Sequence, residues 1–100
     1  MQDGIDGMTA LVLGSRLDLP MAGRLHTALL ARSGAALEID AGSVSHLGAL
    51  CLQVLLAAGQ SWRKSGHPLI IRHASDPFGA ALDVFGVEIA DLQSLPAERA

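Results

Sequence analysis

The sequence predicts a small α/β domain: a four-stranded, mostly parallel sheet with three main helices packed on one face. Three observations carry this. Short apolar runs alternate with longer amphipathic segments, in the order expected of right-handed crossovers between parallel strands. The chain has 100 residues, which leaves room for one core and no second. Half of those residues are hydrophobic but only 3% are aromatic, namely Trp62, Phe78 and Phe85. Leucine and alanine must therefore fill the core, which suits slim helices lying close on a sheet.

Each element has a local reason. Ala10-Leu11-Val12-Leu13, between Gly7 and Gly14, is a short apolar run that reads as a buried strand. Pro20 suits the first turn of a helix, where its missing N–H costs nothing. From Met21 to Arg32 the apolar residues Met21, Ala22, Leu25, Ala28 and Leu29 recur at helical spacing, until Ser33-Gly34 ends the helix. Ala36 to Asp40 alternates as a second strand, and Ala41 to Ser45 forms a loop. The second helix runs from about Ala49 to Ser65, with Leu52, Leu55, Leu56, Gly59 and Trp62 on one face. Its basic end, Arg63 and Lys64, matches the negative pole of the helix dipole. Leu69 to His73 is the most β-branched stretch and reads as the third strand. Ser75 is a good N-cap for a third helix that lines Phe78, Ala81, Leu82 and Phe85 along one side and stops at Gly86. Val87-Glu88-Ile89 is expected to add a short final strand. The expected limits are a flexible N-terminus over residues 1–8, one domain over 9–93 and a flexible tail over 94–100.

Composition excludes several functions. One cysteine, Cys51, permits neither an internal disulfide nor a cysteine-based zinc site. A net charge of -3 with seven Lys plus Arg gives no basic face for nucleic acid. The longest apolar run, Leu47 to Gly59, is too short to cross a bilayer, and no targeting segment is evident, so a cytoplasmic location is expected. No Walker loop or GxGxxG string follows the first strand, which disfavours nucleotide binding. His26, His46, His67 and His73 lack metal-ligand spacing. Ser45 and His46 are sequence neighbours, which a strand points to opposite faces, so they make a poor nucleophile–base pair. The expectation is a protein that is not an enzyme and carries no cofactor. At Cys51 two effects oppose each other: a helix N-terminus lowers the thiol pKa, and burial between Leu50 and Leu52 raises it.

The second helix holds more apolar residues than one buried face requires. Leu50, Val54, Ala57 and Ala58 widen the arc beyond Leu52, Leu55, Leu56 and Trp62. Either the helix is buried on two sides, or it offers an apolar patch to a partner.

The string Val44-Ser45-His46-Leu47-Gly48-Ala49-Leu50-Cys51-Leu52, with the order of elements around it, resembles the STAS domain of anti-anti-sigma factors. Leu17-Asp18, Leu37-Glu38-Ile39-Asp40, Leu69 to Arg72 and Leu82-Asp83-Val84-Phe85-Gly86-Val87 complete the likeness, which covers roughly residues 10 to 90. The resemblance implies a small sheet with helices on one side that binds a partner kinase or regulator beside the N-terminus of the second helix. It places the partner-binding residues at His46, Gly48, Ala49, Leu50, Gln53 and Val54, with Asp18 and Ser43 in nearby loops. Family members carry Asp and then a phosphorylatable Ser or Thr at the start of that helix. Gly48 and Ala49 stand there instead, and alanine has no hydroxyl to phosphorylate. The wording of the helix is similar to small STAS proteins encoded beside chemotaxis genes in alpha-proteobacteria, which implies docking on a histidine kinase or response regulator. The alternatives are an anti-sigma factor antagonist, a STAS subunit of a membrane lipid transporter, and a small-molecule sensor with an apolar pocket under the first helix.

Overall fold

The computed structural model describes residues 9–95. Strands β1 (Thr9–Val12), β3 (Leu37–Asp40) and β5 (Leu69–Arg72) form a parallel sheet in the order β1-β3-β5. Their register pairs Leu11 with Ile39 and Ile39 with Ile71. Alternation along the strands buries Leu37, Ile39, Leu69 and Ile71 on one face and turns Glu38, Asp40, Ile70 and Arg72 to the other. On that other face Arg72 pairs with Glu38 at 3.0 Å, across neighbouring strands. The small parallel sheet with helices is the expected architecture.

Helix α1 (Ala22–Leu30) is entered through a 3-10 turn, Leu19–Met21, that contains Pro20. Ala22, Leu25 and Leu29 are buried, as their spacing predicts. Helix α2 (Ala49–Ser65) buries Cys51, Leu52, Leu55, Ala58, Gly59 and Trp62. The Trp62 indole N–H donates to the Ala35 carbonyl at 2.8 Å, tying the end of α2 to the segment before β3. Helix α3 (Asp76–Phe85) starts at the expected cap: Ser75 Oγ accepts from the Phe78 N–H at 3.1 Å and donates to the Val44 carbonyl at 2.6 Å. Gly86 ends α3 in the left-handed region, φ 72°, where a side chain would be strained.

The structure corrects the sequence reading in three places. Val87 to Ile89 is not a strand. Helix α4 (Ile89–Leu92) begins there instead, because Glu88 and Asp91 form a reciprocal capping box that satisfies the first free N–H groups of a helix. The fourth sheet position is taken by Ser94, which pairs antiparallel with Leu69 through bonds of 2.7 and 2.9 Å. Ser94 was expected to open the flexible tail, yet it is buried, and its hydroxyl donates to the His67 carbonyl at 2.8 Å. Leu95 is exposed, and residues 96–100 of that tail and the N-terminal segment 1–8 lie outside the described residues. Lastly, Phe85 does not share the buried side of α3: it is 44% exposed, whereas Phe78 and Leu82 are in the core.

The wide apolar arc of α2 also has its explanation. The helix packs against α1 on one flank and α4 on the other, and Ala58, assigned to the outer arc, is buried. The approach of α4 is close enough to require a residue without a side chain. A Cβ at Gly59 would stand 2.9 Å from the Leu92 carbonyl oxygen and 3.2 Å from that of Asp91. Gly59→Ala is therefore expected to destabilise the fold by about 1–2 kcal/mol, because overpacking against backbone outweighs the roughly 1 kcal/mol gained in helix propensity. Chemical denaturation measures this, and a more stable variant would mean that α4 yields to the methyl group.

Candidate functional site

The N-terminus of α2 is positioned by a second, two-stranded parallel ladder. Strand β2 (Arg16–Leu17) pairs with β4 (His46–Leu47), Arg16 opposite His46 and Leu17 opposite Leu47. The Gly48 N–H donates to the Leu17 carbonyl at 2.9 Å, and the Ser45 and His46 N–H groups both donate to the Ser15 carbonyl. These bonds draw the loop before α1 onto the loop before α2. Two-residue strands have no hydrophobic period, so neither segment is legible as a strand in the sequence; the only usable signal is the apolar pair Leu17 and Leu47.

The ladder gathers five of the expected residues. Asp18 lies beside the start of α2, where its backbone carbonyl accepts from the Cys51 thiol at 3.4 Å and from the Met21 N–H at 2.9 Å. Its carboxylate is 3.6 Å from the Arg16 guanidinium. A Cβ at Gly48 would lie 3.3 Å from the Leu17 carbonyl oxygen and 3.7 Å from His46 Nε2, which puts all three at one point. His46, Ala49 and Leu50 are exposed, Leu50 at 44%. One turn on, Gln53 is exposed and Val54 is half-buried. Val54 lines an apolar groove of about 210 Å³ between α1 and α2, with Leu29, Ala58 and Trp62 at its sides. Ser43 sits apart from this group. It is exposed in the β3–β4 loop between Gly42, bonded to Asp40 Oδ1, and Val44, bonded to Ser75, so it belongs to the α3 flank.

Gly48 is the N-cap of α2 and offers no side-chain acceptor, and no acidic residue occupies the first turn. The first turn of α2 thus has no side-chain cap or acid to offset the positive end of the dipole, and its first two residues, Ala49 and Leu50, are exposed. Ala49 occupies the first helical position. At Cys51 desolvation pushes the thiol above its ordinary value, and the negative charge of Asp18 adds to the shift. The thiol is a buried core group.

At the end of the sheet, Asp40 accepts from the Gly42 N–H at 2.9 Å and faces His73 Nδ1 at 3.4 Å. The Gly42 hydrogen bond is the main cause that holds its carboxyl below the ordinary 3.8; desolvation opposes it, and His73 assists. His73 itself adopts φ 59°, a left-handed conformation costly for a residue with a side chain. A carboxylate with a lowered folded-state pKa stabilises the fold above its unfolded pKa, and that contribution is lost as pH falls through the lowered value. An NMR titration of the Asp40 carboxyl is expected to show a midpoint under 3.8 that stays depressed in His73→Ala, since the backbone donor remains. A return to 3.8 in that variant would assign the shift to the imidazole instead.

Among the described residues no group of His, Cys, Asp and Glu could hold a metal ion, and no helix is long and apolar enough to cross a membrane. The described residues thus form a small three-stranded parallel sheet with helices, the N-terminus of α2 set on the β2–β4 ladder. The family model described as "Mlab, STAS domain" matches residues 2–95, and the chain belongs to the STAS-domain family. STAS domains mediate protein–protein interactions. No curated protein and no solved structure matches the chain.

Proposed function

We propose that the chain is a non-enzymatic docking module that binds a histidine kinase or response regulator of a chemotaxis-type two-component system through the N-terminal end of α2. The observation that carries this reading is the exposure of Leu50 at 44% within the group formed by His46, Gly48, Ala49 and Gln53. Cys51, Leu52, Leu55, Ala58 and Trp62 of α2 are buried in the core and Val54 and Leu56 pack against it, whereas Leu50 is absent from that cluster. An exposed leucine at a preformed helix end is suited to be the buried centre of an interface. With Ala49 at the first helical position, no hydroxyl is available there for phosphate to add charge, so the patch stays apolar and control resides in the partner.

The test is a binding titration of the purified chain against purified histidine kinases and response regulators of its own cell, with Leu50→Glu in parallel. Saturable binding to one of them that the variant loses supports the reading. Absence of binding to all of them, or equal binding by the variant, overturns it. Stoichiometric phosphate on Ser43 or Ser45 after incubation with ATP and serine kinases would overturn the statement that the module is unswitched.

A further inference from the structure

Charge is segregated along this chain in a way that the α2 patch does not use. Between His73 and Arg99 it carries Asp76, Asp83, Glu88, Asp91 and Glu98, and all seven lysines and arginines lie outside that stretch. The fold gathers three of these carboxylates, Asp76, Asp83 and Glu88, around one groove of about 520 Å³ between α3 and the turn leading into α4. Its walls are apolar, from Leu82, Val87 and Ile89, and it opens over Gly79, where an added Cβ would meet nothing within 4 Å. Among the described residues no cation pairs with any of the three rim carboxylates. The nearest basic side chain to α4, Arg63, donates instead to the carbonyls of Asp91 and Gln93. Beside the groove, α3 leaves Val84 81% exposed and Phe85 44% exposed, apolar surface that nothing in the described fold covers.

We propose that this groove receives a basic amphipathic helix of another protein, with its apolar residues on Val87 and Ile89 and its lysines or arginines on the rim carboxylates. Asp76 and Asp83 are seven residues apart on α3, two turns, which spaces their charges by about 10 Å along the axis. A helix laid along α3 with cations two turns apart matches that spacing, and its apolar stripe between the cations matches the walls. An acidic or neutral occupant would leave three carboxylates facing apolar or like-charged surface. The groove shares no residue with the α2 patch, so the two surfaces can be tested separately.

The probe is a synthetic helix of about 18 residues with leucine on one face and lysine flanking it, and a second in which glutamate replaces lysine. Titration into the full chain is followed by NMR shifts of the backbone amides. The expected result is saturable binding of the lysine peptide, shifts confined to Asp76 through Ile89, and no binding of the glutamate peptide. Asp76→Asn with Asp83→Asn is expected to weaken binding about five- to tenfold, as loss of two rim ion pairs should. Gly79→Gln, which fills the groove with a good helix former, is expected to weaken it without changing charge or helix content. Leu50→Glu leaves it unchanged. The charge-matched control, Thr27→Lys with Gln60→Lys, alters net charge by the same amount on other helices. Equal weakening by that control, shifts centred elsewhere, or no saturable binding would each overturn the proposal.

Discussion

Leu50→Glu is expected to weaken partner binding about 30-fold or more while shifting the thermal midpoint by no more than a few degrees. Both halves of this result follow from position. Leu50 is 44% exposed at the second residue of α2, so little core area is lost when it is replaced. Glutamate in a first helical turn is favourable, because its charge complements the positive end of the dipole, and this first turn contains no acid of its own. The folded chain therefore accepts the substitution. A partner surface shaped for a leucine does not, because the carboxylate would have to be desolvated without a counter-charge. Leu50→Ala separates lost contact from introduced charge and is expected to fall between the two. A steep fall in the thermal midpoint of Leu50→Glu would show that the side chain supports the core, and the docking patch would have to be abandoned.

Phe78→Ala is expected to cost about 3–5 kcal/mol, the usual range for an aromatic removed from a packed interior. For a domain of this size that lowers the thermal midpoint by roughly 15–30 °C. Phe78 heads the fully buried side chains by volume, and in a chain with three aromatics no neighbouring ring can swing in to fill the space. The damage also spreads through the backbone. The Phe78 N–H is held by Ser75 Oγ, and the same hydroxyl bonds the Val44 carbonyl, so loosening α3 loosens the loop that leads into β4. Phe85→Ala is the comparison, expected to cost under about 1 kcal/mol because its ring is already half in solvent. Unfolding by urea, followed by Trp62 fluorescence, measures both. Equal costs at the two positions would mean that α3 is seated the other way round.

Much of the fold was legible because it depends on local chemistry. The boundaries of α2 were readable from Ala49 and Gly66, and those of α3 from Ser75 and Gly86, since caps act within a few residues. The strands β3 and β5 announced themselves by alternation and β-branching. Val87 to Ile89 misled because two β-branched residues alternating with a charged one suit a strand, and only the reciprocal bonds of Glu88 and Asp91 turn the chain into a helix. Ser94 was misplaced because a polar residue near the end of a chain gives no sign that it will pair with Leu69, far away in sequence.

The candidate site divides in the same way. The sequence alone determined that α2 begins with Gly48, Ala49 and Leu50, that no hydroxyl stands at its first position, and that the helix has more apolar residues than one face needs. Only the tertiary structure decided which of those residues remain free. Ala58 and Gly59 are buried where α1 and α4 pack on the helix, whereas Leu50 stays 44% exposed. The physical reason is that helical period is set by neighbours along the chain, and exposure is set by whatever packs across it. The short β2–β4 ladder and the four-residue α4 arise from backbone hydrogen bonds with almost no side-chain signature, and they are what settles that exposure.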